Sequence, residues 1–326
     1  MDTSNATDGG TEPVSPLLRG MLRARRPTGV VSGVLVVLGC FLAGQVASGV
    51  ALVVFLLVSG TGIPMGVLSL DPAEQLVLTG GFLVSTMALA LWVVAKERRS
   101  FGSLGFTATR RVWLPLVLGA VLAVAAVTVP VLIGLVSGQF VPGTAPPVTV
   151  VSVAVLLALL GGFVVQATTE EVLVRGYLVQ VTWRKWGLYA AVVVQTVVFT
   201  LMHGFNTGFG AVPLVNLVLI SLVLVFWALA EGSLWGVCAF HAVWNWCQGN
   251  VYGAEVSGLD LSATLLDIRQ APEGTALFTG GDFGLEGSVL TTLVLLVLLI
   301  GVFGVFRRRW SRTAAHPRPV SDTPAG

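Results

Sequence analysis

The sequence contains little charge. Only 10% of its 326 residues are charged, 18 Lys and Arg against 16 Asp and Glu, whereas soluble domains carry about 25%. The charged residues also fall in short clusters between long stretches that have none. This distribution excludes an ordinary cytoplasmic enzyme and indicates a protein that lies in lipid. The net charge of +2 gives no reason to expect nucleic acid as a partner.

Cysteine and histidine are also scarce, with three residues of each. Cys40, Cys238 and Cys247 lie in or beside apolar stretches without CxxC spacing, so they predict neither a disulfide framework nor a thiolate zinc site. No P-loop or dinucleotide-binding fingerprint occurs. The first residues are polar and far from any apolar run, unlike a secretory signal peptide.

Long apolar runs dominate the rest of the chain. Since a membrane-spanning helix needs roughly 20 mostly apolar residues, we predict an all-α, polytopic membrane protein with about eight transmembrane helices. The predicted spans are 30–58, 76–95, 112–136, 150–183, 187–204, 211–230, 232–250 and 287–306. The fourth is long, and we expect it to break near Gly161 and Gly162.

The positions of the basic residues test this arrangement. With eight spans, every Lys and Arg except Arg269 falls on one side, and the opposite loops carry acidic residues. Cytoplasmic loops are enriched in Lys and Arg. Both termini are therefore predicted to be cytoplasmic.

Three regions follow from this pattern. We expect a disordered cytoplasmic arm over 1–28, a membrane domain over 29–306, and a basic, disordered cytoplasmic tail over 307–326. Pro, Ser, Thr and Gly are frequent in both tails, which is typical of disorder. Residues 251–286 are predicted to form an external segment.

A charged motif interrupts the fourth span. Glu170 and Glu171 lie between apolar stretches, and Arg175 follows one turn later. The i,i+4 spacing of Glu171 and Arg175 places them on one helix face, where they can pair, and leaves Glu170 free to face another partner. A charged turn at a helix end is the alternative interpretation.

A second motif, Phe199 to His203, lies on the following span. Glu170 and His203 are equally far from the turn at 184–187, each roughly 24 Å along its helix. In an antiparallel helix hairpin they can therefore face each other.

The third motif places His241 and Asn245 on one face of the seventh span. Intramembrane ionisable residues are costly and usually functional, although polar side chains also hold helices together in membranes. Taken together, Glu170, Glu171, Arg175, His203, His241 and Asn245 form the candidate site.

This set favours hydrolysis. A buried carboxylate beside an imidazole can activate water, and His241 with Asn245 can stabilise an oxyanion. Two alternatives stay open: a catalytic Zn²⁺ held by Glu170, His203 and His241, and a nucleophilic Cys238. The spacing of these residues does not decide between a site with a metal ion and a site without one.

The motifs EExxxR, FxxxH and HxxxN, in this order on successive membrane helices, resemble those of the CAAX protease and bacteriocin-processing (CPBP, or Abi) family of intramembrane endopeptidases. The resemblance covers about 150–250. It implies an eight-helix membrane core in which Glu170 and His203 activate water, with His241 and Asn245 at the oxyanion. With this resemblance we favour a site without a metal or another cofactor, in which Arg175 supports Glu171 through the pair that their spacing predicts.

The resemblance also implies a membrane-associated peptide or protein as substrate. The Ala-, Val-, Gly- and Arg-rich composition suits a bacterial plasma-membrane protein. A non-enzymatic membrane scaffold or a proton-coupled transporter is the alternative, because buried Glu and His also form proton relays. The sequence does not determine the oligomeric state, the substrate or whether that substrate is prenylated.

Overall fold

The computed structural model describes residues 14–60, 69–106 and 110–315, with side chains as far as 312. It is 75% helical, which confirms an all-α, polytopic membrane protein. Its α-helices are α1 (Pro16–Arg19), α2 (Val30–Ser59), α3 (Pro72–Gly80), α4 (Phe82–Leu91), α5 (Trp113–Val136), α6 (Val150–Glu171), α7 (Val179–Met202), α8 (Ala211–Glu231), α9 (Trp235–Trp246), α10 (Ala276–Thr279) and α11 (Val289–Ala315).

Several helices continue into π-helical segments. These are Trp92–Lys96 after α4, Val172–Leu178 between α6 and α7, and Cys247–Val251 after α9. The chain also forms short 3-10 turns at Gly20–Arg23, Phe101–Leu104, Gly281–Phe283 and Leu285–Gly287. Two of the π-helical segments directly follow residues of the predicted site.

Six helical stretches of the described chain are long and apolar enough to cross a membrane. All eight predicted spans are helical, but two do not count as separate crossings by length. One is joined to its predecessor in a single run, Val150–Met202, whose backbone departs from helix at Gly187 (φ 80°, ψ 178°). The other comprises only α9 and the π-helical segment that follows it.

The expected break near Gly161 and Gly162 is wrong, because α6 is continuous from Val150 to Glu171. Gly162 instead permits close packing between helices. A Cβ atom at this position would lie 2.5 Å from the hydroxyl oxygen of Thr79 on α3. Small residues at helix interfaces have this function in membrane proteins.

Helix α2 packs closely against α3 and α4 for the same reason. A Cβ atom on Gly81, between α3 and α4, would lie 2.6 Å from the Cα of Ser48 on α2. The hydroxyl of Ser48 donates to the carbonyl oxygen of Leu78 across 2.8 Å. The glycine thus permits a backbone approach that a hydrogen bond then stabilises.

Both described ends of the chain lie at one side of the bundle, beside the turn between α8 and α9. The hydroxyl of Ser15 donates to the carbonyl of Leu229 (2.8 Å), and Nη1 of Arg309 donates to the carbonyl of Ala230 (2.7 Å). The cytoplasmic position of this side stays a prediction.

The predicted disorder of the N-terminal arm does not hold for residues 16–23, which form α1 and a 3-10 turn. Leu17, Leu18 and Met21 are almost fully buried in the core. This apolar burial outweighs the entropy of ordering the segment. Residues 1–13 lie outside the described part of the chain.

The same side of the bundle contains a buried polar network that holds the arm. Glu97 is fully buried and pairs with Arg99, with 2.7 Å between Oε2 and Nε. Its Oε1 accepts hydrogen bonds from the backbone N–H and the hydroxyl of Thr28. The network therefore connects the start of α2 to the segment after α4.

The predicted disordered tail also begins later than expected. Helix α11 continues to Ala315, and the ring of Trp310 lies 5.3 Å from that of Phe306. Helical hydrogen bonding and this ring contact extend the last span beyond its apolar residues. Residues 316–326 lie outside the described part of the chain.

The predicted external segment is ordered and carries two strands, β3 (Asp260–Leu261) and β4 (Ile268–Gln270). β3 pairs in parallel with β1 (Ser69–Leu70), and β4 pairs antiparallel with β2 (Phe140–Pro142). With the 3-10 turns before α11, this segment covers the bundle on the side opposite to the termini. We call residues 252–288 the cap.

Candidate active site

Glu170 and Glu171 end α6, just before the π-helical segment Val172–Leu178. Their exposed fractions are 2% and 0%. Gly176 lies within the π-helical segment, where a Cβ atom would lie 2.7 Å from the carbonyl oxygen of Leu104. Because Gly176 has no side chain, the segment after α4 that contains Leu104 can pack directly against the π-helical segment that follows the two glutamates.

The pair predicted from the i,i+4 spacing is present. Nη1 of Arg175 lies 3.1 Å from Oε1 of Glu171, and both side chains are fully buried. The Arg175 guanidinium also lies over the Phe199 ring, 4.1 Å from its centre, and Nη2 donates to Ser221 at 3.4 Å. Arg175 therefore supports both the acidic motif and the aromatic residue of the second motif.

His203 follows α7 and is oriented by that helix. Its Nδ1 lies 2.9 Å from the carbonyl oxygen of Phe199, and because a carbonyl only accepts, Nδ1 donates. Its ring also lies 4.6 Å from the Phe199 ring. The other nitrogen, Nε2, lies 3.7 Å from Oε2 of Glu170.

His241 on α9 is oriented by Glu171. Its Nδ1 lies 2.9 Å from Oε1 of Glu171, the carboxylate oxygen that also contacts Arg175. Its Nε2 lies 3.9 Å from Oε2 of Glu170. The Nε2 atoms of both imidazoles therefore approach the same carboxylate oxygen.

That oxygen, Oε2 of Glu170, is buried and forms no hydrogen bond within the described residues. Oε1 of the same carboxylate accepts a 3.4 Å hydrogen bond from Gln166. The two distances to imidazole exceed those of direct hydrogen bonds. Polar groups at this separation are commonly bridged by water.

Asn245 lies one turn beyond His241, as predicted, and is only 4% exposed. Its side chain lines the same cavity as Glu170, His203 and His241. The structure shows no protein hydrogen bond to its amide in the part of the chain that it describes. Unlike a residue that holds two helices together, Asn245 keeps its hydrogen-bonding capacity for a ligand.

The cavity has a volume of about 350 Å³. Four of the six predicted site residues line it, namely Glu170, His203, His241 and Asn245, together with apolar side chains of the surrounding helices. Glu171 and Arg175 lie behind the wall, fully buried. Residues of the cap and of the connection after α7 line the cavity on the side opposite to the termini; these include Phe205, Asn206, Val256, Ser257, Leu259, Leu261 and Glu286. The cavity thus lies between the membrane helices and the cap.

Several cavity residues could not be identified from spacing. Gln166 contacts Glu170, while Glu286 and Ser257 reach the cavity from the cap. Oε2 of Glu286 accepts from the N–H and the hydroxyl of Ser257, at 3.0 and 2.7 Å. The sequence placed Glu286 in the predicted external segment, not in the site. The only signal was its position, as an acidic residue directly before the last predicted span.

Glu286 lies outside the membrane-spanning helices, in the 3-10 turn before α11. Burial raises the pKa of its carboxyl group. The hydrogen bonds from Ser257 and the nearby imidazoles of His203 and His241 act in the opposite direction. The carboxyl group is therefore electrostatically connected to the candidate catalytic groups.

Two alternatives to water activated by Glu170 depend on a metal ion and on Cys238. Among the described residues, no group of three His, Cys, Asp or Glu side chains is arranged to hold a metal ion. In the set named as metal ligands from the sequence, the Nε2 atoms of His203 and His241 lie 3.7 and 3.9 Å from Oε2 of Glu170. Cys238 is buried in α9, and it is absent from the cavity wall.

Comparison with known proteins agrees with the motifs. Residues 150–247 match the model of a family described as Rce1-like, the type II CAAX prenyl endopeptidases. No curated protein matches the chain. The matched residues include all three motifs and form α6, α7, α8 and α9, which surround the two imidazoles. The resemblance to CAAX-type membrane endopeptidases is thus confirmed for the segment that carries Glu170, His203 and His241.

Proposed function

We propose that this protein is an intramembrane endopeptidase that hydrolyses a peptide bond by means of water activated at Glu170. The observation that carries the proposal is the buried Oε2 of Glu170, which accepts no hydrogen bond from the described residues and which both Nε2 atoms approach to within 3.9 Å. A general base must lie within hydrogen-bonding reach of the proton that it removes, directly or through one water.

In the first step, a water bound between Glu170 and His203 gives a proton to the Glu170 carboxylate. The hydroxide attacks the carbonyl carbon of the substrate, and a tetrahedral intermediate forms. His203 orients the water, because its Nδ1 is held by the Phe199 carbonyl and its Nε2 is free to accept. No covalent enzyme intermediate is required.

The developing oxyanion is stabilised by the amide of Asn245 and by His241. Glu171 binds Nδ1 of His241 and so stabilises the imidazolium form, in which Nε2 carries a proton to donate. Fixed donors of this kind are effective in a cavity of low polarity. In the last step the C–N bond breaks, and the proton on Glu170 passes to the leaving amine.

The full chain, reconstituted in liposomes, is expected to cleave a membrane-associated peptide. Glu170→Gln keeps the shape of the side chain but removes the base, so cleavage should fall by about 10²–10⁴-fold. Glu273→Gln, a change of the same type in the cap outside the cavity wall, should leave the rate unchanged. Full activity of Glu170→Gln with an unchanged thermal transition would refute the assignment.

We also propose that the reaction proceeds without a metal ion. The rate in excess chelator should equal the rate in its absence, and elemental analysis of active protein should find less than one metal per chain. Stoichiometric zinc whose removal stops cleavage would instead support the metal alternative, with Glu170, His203 and His241 as ligands.

The substrate is proposed to be a peptide or protein held at the membrane, since the cavity lies among membrane helices. We further propose a bacterial plasma-membrane protein with both termini in the cytoplasm. Basic residues next to the spans, on the side that holds Ser15 and Arg309, support this orientation. Labelling of single cysteines introduced at each side in intact cells tests it.

A further inference from the structure

The cavity has a second carboxylate, Glu286, opposite the motif residues. Glu170 belongs to α6 within the membrane bundle, whereas Glu286 reaches the cavity from the cap, in the 3-10 turn Leu285–Gly287. It lies outside the segment that matches the endopeptidase family. Nothing in the proposed hydrolytic steps requires it.

The carboxylate of Glu286 is held in place by the cap. Both donors of Ser257 bind its Oε2, and Ser257 adopts a left-handed backbone conformation with φ 48°. Oε1 of Glu286 accepts no hydrogen bond from the described residues, so one carboxylate oxygen stays available to a ligand.

The tight packing of the cap keeps this arrangement fixed. Gly258, next to Ser257, has φ 86°, and a Cβ atom there would lie 2.6 Å from the carbonyl oxygen of Thr207. Its N–H donates to the carbonyl of Phe283 at 3.1 Å. Three separate parts of the chain thus meet around the Glu286–Ser257 contact.

The charges of the cavity wall are unbalanced. Glu170 and Glu286 both line the cavity against a single imidazolium, that of His241 in the proposed mechanism, and no Lys or Arg lines it among the described residues. The nearest basic side chain of the site, Arg175, is already paired with Glu171 behind the wall. In a cavity of low polarity, such an imbalance favours cations and disfavours anions.

We propose that Glu286 is a specificity-determining residue that binds the cationic side chain of a Lys or Arg near the scissile bond of the substrate. The inference rests on the proposed endopeptidase function and names its substrate class: an apolar, membrane-associated segment with a basic residue. The free oxygen of Glu286 accepts a charge-assisted hydrogen bond from this side chain. An acidic residue at the same position is excluded by repulsion from both carboxylates.

Binding tests the proposal without depending on turnover. The full chain carrying Glu170→Gln is reconstituted in nanodiscs and titrated with fluorescent apolar peptides, blocked at both ends, that differ only in one central residue: Lys, norleucine or Glu. We expect the Lys peptide to bind about tenfold more tightly than the norleucine peptide. The Glu peptide should bind most weakly.

Three further variants in the same background identify the residue responsible. Glu286→Gln retains acceptors for Ser257 and should reduce binding of the Lys peptide to the level of the norleucine peptide. Glu286→Lys should reverse the preference towards the Glu peptide. Glu255→Gln is the matched control, because Glu255 belongs to the cap but lines a different pocket; it should preserve the preference.

Equal binding of the three peptides, or a Lys preference that survives Glu286→Gln, would overturn the proposal. Cleavage of the same peptides by the chain that retains Glu170, with and without Glu286→Gln, distinguishes a wrong role for Glu286 from a wrong proposed function. Loss of the Lys preference with intact, Glu170-dependent cleavage refutes the role of Glu286 alone. Absence of Glu170-dependent cleavage with every peptide refutes the endopeptidase itself.

Discussion

His241 donates a hydrogen bond from Nδ1 to Oε1 of Glu171 across 2.9 Å, although 70 residues separate them in the chain. The same oxygen pairs with Arg175. Glu171 thus connects the first motif to the third and directs Nε2 of His241 towards Glu170. The two adjacent glutamates have different functions in this arrangement, since one orients an imidazole and the other faces the cavity.

Removal of Arg175 should destabilise the protein. Arg175→Met removes the guanidinium from the buried carboxylate of Glu171, and loss of one partner of a buried ion pair costs about 3–5 kcal/mol. The double variant Glu171→Gln/Arg175→Met removes both charges and should regain most of the lost free energy of unfolding. Denaturant titration in micelles, followed by Trp fluorescence, measures both changes.

A cleavage assay distinguishes two contributions of the Glu171–Arg175 pair: its contribution to stability, and the orientation of His241 by Glu171. The double variant should cleave at least tenfold more slowly than the wild type, because His241 loses the carboxylate that stabilises its imidazolium form. Arg99→Met breaks the buried ion pair with Glu97. It should lower the stability of the protein, but the molecules that remain folded should cleave at the wild-type rate. Wild-type turnover by the double variant would contradict the orienting role of Glu171.

Asn245→Ala should reduce turnover with little effect on stability. Its amide forms no protein hydrogen bond within the described residues but lines the cavity, so its loss removes an oxyanion donor. The rate constant should fall about 10²–10³-fold, with a change in Tm of less than about 3 °C. Single-turnover cleavage and thermal unfolding of the same preparation provide the two measurements.

A purely structural Asn245 would behave in the opposite way. In that case Asn245→Ala would lower the Tm by several degrees while folded molecules kept their activity. Asn250→Ala is the matched control, because Asn250 is buried and hydrogen-bonded to Gln75 and to the carbonyl of Ala263. It should show the structural pattern.

Gly81→Ala should weaken the packing of α2 against α3 and α4. The new Cβ atom would lie 2.6 Å from the Cα of Ser48, and overpacking of this kind typically costs about 1–3 kcal/mol. Gly39→Ala on α2 meets no atom within 4 Å and should be neutral or slightly stabilising. Denaturant titration of both variants checks the difference, and equal stabilities would contradict the proposed packing.

The cap should become less stable as pH rises above the ordinary carboxyl range. Burial raises the pKa of Glu255 from its usual 4.5, and Asp260 and Asp282 act in the same direction. The folded state therefore binds this proton more tightly than the unfolded state, and its contribution to stability is lost as pH passes from 4.5 through the raised pKa. Thermal unfolding between pH 4 and 8 should show a decline that Glu255→Gln reduces.

Asp267 supplies a control with the opposite sign. The hydrogen bond from Arg269 lowers the pKa of this carboxyl group, so its contribution is present above the ordinary value near 3.8 and is lost as pH falls through the lowered pKa. Asp267→Asn should therefore leave the decline towards pH 8 unchanged. A decline that is the same in Glu255→Gln as in the wild type would show that Glu255 does not cause it.

The sequence by itself determined the membrane character and the contacts that follow from helical periodicity. Apolar runs require helices, because lipid offers backbone groups no hydrogen-bonding partners. The i,i+4 spacing predicted the Glu171–Arg175 pair, and equal distances from a turn predicted that Glu170 would face His203. These relationships depend on one helix or on two consecutive helices, where the geometry is nearly fixed.

Tertiary structure alone decided the contacts between distant parts of the chain. The contact of Glu171 with His241, the position of Glu286 in the cavity wall and the order of the cap all depend on how nonconsecutive helices pack. The continuous α6 shows the same limit, since Gly161 and Gly162 indicated a break, whereas the helix continues through both and Gly162 permits close packing with α3. Backbone geometry propagates along a helix, whereas the partner of a side chain in another helix is chosen by the packing of the whole bundle.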